Sequence, residues 1–298
     1  MKTKTLDIIV AGEANVDLLM REVPPLELGK EKLAKDMDLV LGGSSSITAF
    51  NLARLGARVG FVGVVGDDFF GQFVEERLRW AGVDLTCLRR RRGAKTGLTI
   101  WHTRGARRAG VTYPGTIELL RAPDVPSAYL ERASHLHVGA YFLQKKLHVG
   151  AAALFRRAHR LHLTTSLDPN WDPTERWDSG IREVLSQTDI FFPNEEEALR
   201  LTGCPAVRGA AEDLGRLVEI VLVKRGARGA LVHSGDLTFE MPAARVKAVE
   251  MTGAGDSFNA GFLAEWARGA SLYKCARAGV EAGARAVTRV GGTAAFEE

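Results

Sequence analysis

The fold of this chain is decided by the stretch Met251-Thr252-Gly253-Ala254-Gly255-Asp256-Ser257-Phe258. Small residues come directly before an amphipathic helix, whose apolar side chains recur on one face at Phe258, Phe262, Leu263 and Trp266. Backbone N–H groups at such a helix start can approach an anion closely, and the helix dipole adds about half a positive charge there. Asp256 is either a helix cap or a base that takes a proton from a hydroxyl attacking a phosphate. This stretch alone leaves both functions open.

The composition sets limits on the class of protein. The chain has 298 residues, of which 46% are hydrophobic, so it can bury a substantial core. Its net charge of +4 is too small to indicate a nucleic-acid partner by itself, and it suits an anionic substrate. Cys87, Cys204 and Cys275 are far apart and lack metal-ligand spacing. With no signal peptide and no apolar run of about 18 residues, we expect a soluble cytoplasmic protein without a membrane partner.

Short apolar runs alternate with longer helical patterns along the chain. This alternation predicts an α/β fold with a mostly parallel sheet covered by helices on both faces. The predicted strands are Leu6 to Ala11, Val59 to Val65, His135 to Val138, Thr164 to Leu167, Asp189 to Phe192 and Ile220 to Lys224. The predicted helices include Phe70 to Trp80, Gly150 to His162, Glu195 to Leu201 and Ala211 to Leu217. Ligands of such sheets bind beyond the carboxyl ends of the strands, where we expect Gly12, Asp168, Asn194 and Gly226.

Two regions interrupt this alternation. Residues 17–41 contain consecutive prolines and short apolar stretches, and residues 95–113 read as strand, turn, strand. Both predict β segments that project from the main sheet as a small flap over the ligand end. No linker or internal repeat divides the chain. We therefore expect one domain over residues 1–298, with lid segments at approximately 15–40 and 95–115.

Two segments are candidates for binding an acceptor molecule. Asn15 and Asp17 alternate after the first strand, so they lie on one side of an extended chain. An amide and a carboxylate together suit vicinal hydroxyls, although an Asx turn would use the same residues. Gly42, Gly43 and Ser44 precede a helix of small residues. Paired glycines there favour close approach of the backbone to a ligand, or simply a tight loop with a serine cap.

A third segment is a candidate for binding a metal ion and phosphates. Asn194 and Glu197 fall at i and i+3 of a helix start, so they share one face. They could hold a hydrated Mg²⁺, which takes few protein ligands, or they could simply belong to an acid-rich helix start. There is no GxGxxG after a strand and no Walker A sequence, so a nucleotide would be held in another way.

The densest basic patch is interpreted as a solvated surface. It consists of Arg89 to Arg92 with Arg104, Arg107 and Arg108. Such a patch could contact phosphate or nucleic acid, but no interleaved aromatic cluster or nucleic-acid sequence motif accompanies it. A solvated surface is therefore favoured over a binding site.

Taken in order, these segments resemble those of the ribokinase-like carbohydrate kinases, the PfkB family. The resemblance covers nearly the whole chain: the Asn-x-Asp after the first strand, the Gly42-Gly43 loop, Asn51 to Gly56, Gly63 to Gly71, Asp168 to Asn170, Asn194-x-x-Glu197, Lys224 to Gly229 and Thr252 to Phe258. It implies a three-layer α/β/α sandwich with a mostly parallel central sheet and a small β-sheet lid. Each segment is a weak signal by itself, whereas the ordered set is a strong one.

The resemblance implies transfer of the γ-phosphoryl group of Mg-ATP to a sugar hydroxyl. It makes Asp256 the general base and the N–H groups of Gly253, Ala254 and Gly255 the anion hole. Asp256 would need little change in pKa, because a free aspartate is already ionised near neutrality. The resemblance implies that the sugar is held by Asn15, Asp17, Gly42, Gly43 and Ser44. It implies that Asn194 and Glu197 organise Mg²⁺ and phosphate through water. The residues that it implies beside the nucleotide are Lys224, Gly226 and Gly229.

The sequence departs from the family pattern at three positions. Ile47 stands where the sugar loop often has an asparagine, which removes a hydrogen bond to the sugar. Glu250 replaces the usual aspartate before the signature, and Met251 replaces a common threonine. Members activated by a monovalent cation use this loop with the segment matching Ala286 to Ala295. Glu250 and Thr252 are therefore candidate ligands of K⁺, although the longer glutamate could disturb such a site.

The acceptor and the partner follow from the resemblance only in outline. A ketohexose, a 2-keto-3-deoxy sugar acid and a pentose are all compatible substrates. A nucleoside kinase is an alternative, with Trp101 or Tyr113 of the flap stacking on the base, and a non-catalytic sugar- or nucleotide-sensing homologue is another. Because exposed flap strands of such relatives often pair between subunits, we expect a homodimer through the lid.

Overall fold

The computed structural model describes residues 4–104 and 107–298. The strands are β1 (Ile8–Ala11), β2 (Asn15–Arg21), β3 (Asp36–Gly42), β4 (Val59–Gly66), β5 (Asp84–Arg91), β6 (Gly97–Arg104), β7 (Arg107–Tyr113), β8 (His135–Val138), β9 (Thr164–Leu167), β10 (Ile190–Phe191), β11 (Ile220–Lys224), β12 (Ala230–Ser234) and β13 (Leu237–Met241). The α-helices are α1 (Ser44–Arg54), α2 (Phe69–Trp80), α3 (Ser127–Leu130), α4 (Lys145–Arg160), α5 (Ile181–Leu185), α6 (Glu195–Thr202), α7 (Val207–Leu214), α8 (Ala254–Ala267) and α9 (Leu272–Ala286).

The larger sheet has nine strands in the order β13-β12-β11-β10-β9-β8-β1-β4-β5. Seven neighbouring strands of this sheet are parallel: β11, β10, β9, β8, β1, β4 and β5. Strands β12 and β13 extend the sheet beyond β11 and are antiparallel to their neighbours. Parallel neighbours require crossover connections, which here carry the helices. The carboxyl ends of seven strands therefore meet along one edge of the sheet.

Successive residues of the central strands pack into two different cores. In β1, Ile8 and Val10 contact one cluster, while Ile9 and Ala11 contact the other. The first cluster includes apolar residues of α1, α2, α8 and α9, and the second includes those of α4, α5, α6 and α7. Because both faces of the sheet are covered, β1, β4 and β11 read as continuous apolar runs in the sequence. Strands β8 and β9 also bury polar side chains, among them His135, His137 and Ser166, which hydrogen-bond to one another. The predicted three-layer sandwich is confirmed.

The smaller sheet is the predicted lid, with strand order β3-β2-β6-β7. Asp17 pairs with Thr99, Trp101 with Gly110 and Thr103 with Arg108. Since paired residues of neighbouring strands lie on the same face, Asp17, Trp101 and Arg108 share one face of this sheet. We call it the inner face of the lid. Of the predicted lid segment 95–115, residues 105 and 106 lie outside the described residues.

The six predicted strands are present, with ends that differ by two residues or fewer. Helix α4 begins five residues before its predicted start, and α7 begins and ends earlier than predicted. Strands β5, β12 and β13 were not predicted. The arginine-rich end of β5 and the polar residues of β13 interrupt their apolar patterns, and the apolar part of β12 is only three residues long. Among the described residues, no helix has the length and hydropathy needed to span a bilayer.

Candidate active site

The predicted ligand-site residues converge at the carboxyl edge of the main sheet. Gly12 follows β1 directly, Asp168 follows β9, and Asn194 pairs with Lys224 at the end of β11. Gly226 lies in the turn that leads from β11 to β12. The parallel order of the strands brings together residues that are far apart in the sequence.

The glycine run before α8 forms the predicted helix start. Gly253 is the N-cap residue with φ of 75°, a left-handed conformation that favours glycine. A Cβ at this position would also collide with the backbone of Gly292. The N–H groups of the next residues therefore belong to the first turn of α8, where unpaired donors and the helix dipole suit an anion. Asp256 lies in the same turn.

Asp256 lies among groups that shift its pKa in opposite directions. Burial and the nearby Asp168 carboxylate raise the pKa of Asp256 to about 6, while Lys224, a hydrogen bond from Ser44 and the Arg108 charge act to lower it. From the sequence, Asp256 needs little change in pKa to act as a base, and burial is the cause of the shift that the sequence does not reveal. A pKa near 6 still leaves the carboxylate mostly ionised at neutral pH.

A buried ion pair lies beside the anion hole. Lys224 Nζ donates to Asp168 Oδ2 at 2.6 Å, and Asn259 Nδ2 donates to the same oxygen at 2.6 Å. The Lys224 ammonium is 3.4 Å from the position that a Cβ on Gly255 would occupy. The nearby Asp168 and Glu197 carboxylates raise the pKa of Lys224. A fixed positive charge therefore lies next to the first turn of α8.

Asn194 and Glu197 form a reciprocal cap at the start of α6. Asn194 Oδ1 accepts from the Glu197 N–H at 2.9 Å, and Glu197 Oε2 accepts from the Asn194 N–H at 2.7 Å. Each side chain keeps one polar atom outside this pair of bonds. Burial and the Asp168 charge raise the pKa of Glu197 to about 7, so a cation nearby would stabilise its ionised form.

The donor set around this cap fits a hydrated Mg²⁺. Glu197 keeps a carboxylate oxygen outside the cap, and the buried Asn259 Oδ1 has no hydrogen-bond partner. No group of three or more His, Cys, Asp or Glu side chains suited to a metal occurs within residues 4–104 and 107–298. Mg²⁺ keeps several waters and needs only one or two carboxylates besides substrate phosphates, so these oxygen donors are sufficient.

The lid brings the predicted acceptor-binding residues together. Asn15 Nδ2 donates to Asp17 Oδ1 at 3.1 Å, and Trp101 Nε1 donates to Asp17 Oδ2 at 3.3 Å. Gly42 lies so close to Asp17 that a Cβ would collide with the carboxylate, and a Cβ on Gly43 would lie 2.6 Å from Asn15 Oδ1. The glycine pair thus makes room for these two side chains. Burial, together with the charges of Asp256 and Glu250, raises the pKa of Asp17 to about 7.

Glu13 is a site residue that the sequence reasoning missed. Its Oε1 accepts from the Ser45 N–H at 3.1 Å, and its Oε2 accepts from the Ser45 hydroxyl. Glu13 therefore caps α1 from outside the helix, since Gly43 has no side chain to do so. Burial raises the pKa of Glu13 to about 7, and the charge of Asp256 adds to this shift. Its position two residues before Asn15 was the available signal.

Glu250 and Thr252, the predicted K⁺ ligands, are bonded to each other. Glu250 Oε1 accepts from the Thr252 N–H at 2.8 Å and from its hydroxyl at 2.7 Å, and Glu250 Oε2 accepts from the Gly291 N–H at 3.3 Å. Glu250 therefore joins the loop before α8 directly to the segment that contains Gly291. These three hydrogen bonds compete with a cation for the Glu250 oxygens, which disfavours K⁺ binding by Glu250 and Thr252.

Arg108 reaches this loop from the lid, although the sequence predicted a solvated patch there. Its Nη1 donates to Thr252 Oγ1 at 3.3 Å and lies 3.8 Å from Glu250 Oε1. Arg89 and Arg90 do lie at the surface, as the sequence predicted, where they pair with Asp124 and Glu75 at the edge of the main sheet. No local sequence signal separates Arg108 from these arginines.

The two glycines predicted beside the nucleotide differ in their surroundings. Gly226 has a φ of 56° and open space where a Cβ would lie. Gly229 has a φ of 85°, and a Cβ there would collide with the Met241 carbonyl. Packing of the β12–β13 hairpin explains the requirement for Gly229, whereas Gly226 leaves its backbone accessible.

Comparisons with known proteins agree with this geometry. The sequence profile of the pfkB family carbohydrate kinases matches residues 5–298. The chain is 30% identical over 283 residues to the cytidine kinase of Thermococcus kodakarensis, with 93% of this chain and 94% of that protein covered. It is 30% identical over 262 residues to the ATP-dependent ribose-1-phosphate kinase of Halopiger xanaduensis, with 87% and 84% covered.

Solved structures show the same fold. An E. coli protein described as a ribokinase II, in complex with ATP and Mg²⁺, superposes with a TM-score of 0.87 at 25% identity, covering 98% of this chain and 96% of that one. An Arabidopsis thaliana ribokinase complexed with ribose and ATP gives a TM-score of 0.84 at 24% identity, with 97% and 95% covered. The match of the family profile over nearly the whole chain, together with the sandwich and lid, places the chain in the pfkB family of carbohydrate kinases, which are phosphotransferases with an alcohol group as acceptor.

Proposed function

We propose that this chain transfers the γ-phosphoryl group of Mg-ATP to a hydroxyl of a small carbohydrate. The observation that carries the proposal is the start of α8, where Asp256, the Gly253–Gly255 backbone and the Lys224 ammonium lie together. The buried Asn15–Asp17 pair of the lid adds polar groups that suit sugar hydroxyls. The proposed acceptor is a ketohexose, a 2-keto-3-deoxy sugar acid or a pentose.

Each protein group has a defined task in this mechanism. The Asp256 carboxylate accepts the proton of the attacking hydroxyl, and Asn15, Asp17 and the glycine loop orient the acceptor. The N–H groups of Gly253, Ala254 and Gly255 bind the transferred group, and Lys224 stabilises its negative charge. Asn194 and Glu197 would hold a hydrated Mg²⁺ near the phosphates, where the ion supplies further neutralisation of charge. Gly226 leaves room for the nucleotide.

The proposal is tested by measuring ADP release from Mg-ATP with a panel of acceptors. We expect turnover with at least one of fructose, ribose, ribose 1-phosphate and 2-dehydro-3-deoxygluconate. Absence of turnover with every carbohydrate, while ATP still binds, would contradict the proposal. Hydrolysis of ATP without an acceptor is the background to subtract.

A nucleoside kinase is the second candidate. The similarity to the Thermococcus cytidine kinase favours it, because the two chains match over nearly their whole lengths. Trp101 was the residue predicted to stack on a base, and the Arg108 guanidinium already lies over its ring at 4.4 Å from the centroid. Tyr113 lies on the opposite face of the lid and is largely exposed. Turnover with cytidine but with none of the sugars would establish this alternative.

The pH dependence of kcat/KM should reflect the ionisation of Asp256. A carboxylate acts as a base only when ionised, and the pKa of Asp256 is raised to about 6. Its ionised fraction therefore increases as the pH rises, and we expect kcat/KM for the acceptor to increase about tenfold from pH 5 to pH 7. The profile is measured at saturating Mg-ATP. A flat profile over this range would exclude Asp256 as the titrating base.

We also predict that K⁺ does not activate the enzyme. Glu250 already bridges Thr252 and the Gly291 N–H, so the loop needs no cation to join these segments. Rates in KCl, NaCl and tetramethylammonium chloride of equal ionic strength should agree within about twofold. A selective increase in K⁺ of fivefold or more would contradict this prediction.

We further propose that the chain is one domain with a lid and that it forms a homodimer through that lid. The outer face of the lid carries apolar residues that are partly or largely exposed: Leu18, Met20, Met37, Ile100, Val111 and Tyr113. Strand β7 is also an edge strand with unpaired backbone groups on its outer side, which favours pairing with a second copy. Analytical ultracentrifugation is expected to give a dimer, and Val111→Lys should shift it to monomer.

A further inference from the structure

Within residues 4–104 and 107–298, the inner face of the lid carries one guanidinium whose ion pair with a carboxylate is too long to be a hydrogen bond, that of Arg108. With the described residues, the Arg108 guanidinium makes one hydrogen bond, from Nη1 to the neutral Thr252 hydroxyl at 3.3 Å. Among the described residues its nearest carboxylate oxygen is Glu250 Oε1 at 3.8 Å, which is beyond hydrogen-bonding distance. Glu250 already accepts three hydrogen bonds from backbone and hydroxyl donors. The side chain of Arg108 remains 41% exposed, so its other N–H donors are available to a ligand.

The Arg108 guanidinium is also held in place. Its Cζ lies 4.4 Å from the centroid of the Trp101 ring, and Trp101 is itself bonded through Nε1 to Asp17 Oδ2. A Cβ on Gly110 would lie 2.6 Å from the Trp101 ring, so glycine at this position makes room for the indole. A planar guanidinium stacked on an aromatic ring presents its fork of donors with little loss of entropy on binding.

The acceptor side of the site is otherwise acidic. The carboxylates of Glu250 and Asp256 are close enough to Asp17 to raise its pKa. The charge of Arg108 likewise acts on Asp256. Two other basic side chains are paired: Arg21, on the same face of the lid, with Asp36 and Asp38, and Lys224, beside the anion hole, with Asp168. An anionic acceptor would be repelled here unless its charged group met Arg108.

We propose that Arg108 selects acceptors that carry an anionic group, a carboxylate or a phosphate monoester, in addition to the hydroxyl that is phosphorylated. This inference rests on the proposed kinase function and specifies the class of its substrate. Guanidinium groups bind both anions through two parallel hydrogen bonds, so the chemistry is shared by sugar acids and sugar phosphates. The anionic group lies between the lid and the loop of Thr252, with Asp17 at one side and Asp256 at the other.

The test compares anionic and neutral acceptors in the wild type and in Arg108→Met. The probes are ribose 1-phosphate against ribose, and 2-dehydro-3-deoxygluconate against fructose. We expect the wild type to prefer the anionic member of one pair by tenfold or more in kcat/KM, and that pair identifies phosphate or carboxylate as the group. Arg108→Met should lower kcat/KM for that acceptor by about tenfold to a hundredfold, mainly through KM, and Arg108→Lys should restore part of it.

The neutral acceptors and a second arginine supply the controls. Turnover of ribose or fructose should change less than threefold in Arg108→Met, and Arg21→Met, on the same face of the lid, should leave every acceptor within threefold. A preference for the neutral member of both pairs, or an equal loss for neutral and anionic acceptors, would overturn the proposal.

Calorimetric binding of the two anionic probes without ATP separates this inference from the kinase proposal. Binding that weakens in Arg108→Met would support the inference even if no phosphoryl transfer occurred, and equal binding by both proteins would overturn it. Absence of turnover with every acceptor would count against the kinase function alone.

Discussion

Asp256→Asn is expected to lower kcat by about 10²- to 10⁴-fold, which is the usual contribution of a general base. The amide has nearly the same volume as the carboxylate but cannot accept the proton of the attacking hydroxyl. Asp256 lies in the first turn of α8, where its loss should leave the glycine backbone and Lys224 in place. The affinity for ATP should therefore stay the same or increase, since a negative charge beside the phosphates is removed. Steady-state kinetics and equilibrium binding of ATP measure the two effects.

The matched control is Asp236→Asn, the same substitution at an exposed position in the turn between β12 and β13. It should change kcat by less than twofold. If Asp256→Asn keeps more than about a tenth of the wild-type kcat, Asp256 is a helix cap and not the base. A large loss of ATP affinity in this variant would instead indicate a disturbed anion hole.

Lys224→Met is expected to lower the free energy of unfolding by about 3–5 kcal/mol, the typical cost of leaving one partner of a buried ion pair alone. Lys224 and Asp168 are 13% and 5% exposed, so solvent screens them little. Without the ammonium, Asp168 would lie close to Glu197 and Asp256, and of the described groups the Asn259 amide and the Asn170 N–H would still donate to it. The variant should also lose turnover by about 10²-fold or more, because a fixed charge beside the anion hole is removed.

Urea denaturation followed by circular dichroism measures the first effect, and ADP release measures the second. Lys145→Met is the control, because Lys145 pairs with Glu118 on the surface with 65% of its side chain exposed. Exposed pairs contribute at most about 1 kcal/mol. The double variant Asp168→Asn/Lys224→Met should regain part of the stability but not the turnover, since it removes both charges of the ion pair together. Wild-type stability in Lys224→Met would show that the pair is not required for folding.

Much of the fold could be predicted because its signals are local. The apolar runs at β1, β4 and β11 stand out, since strands covered on both faces are mostly apolar. Strand β5 escaped prediction because it lies at the edge of the sheet, where solvent tolerates a run of arginines. Strand β13 carries polar residues for the same reason, since it is the other edge, whereas β12 lies inside the sheet and is largely buried.

The candidate site divides in a similar way. Asp256, the glycine run and the Asn194–Glu197 cap could be predicted because each is a turn-to-helix segment of a few residues. Glu13, Asn259 and Arg108 could not, because their contacts come from other parts of the chain. Asn259 is an ordinary polar residue of α8 until β9 places Asp168 beside it.

The sequence by itself determined the α/β alternation of the central strands, the lid segments and the helix start at Asp256, since these depend on periodicity and on small residues within a few positions. Only the tertiary structure decided which charges meet. The contact of Arg108 with the loop of Thr252 spans 144 residues of sequence, and the pairing of Lys224 with Asp168 spans 56. Sheet order and lid register create these contacts, and electrostatic shifts depend on distance and burial in space, which no local pattern of residues encodes.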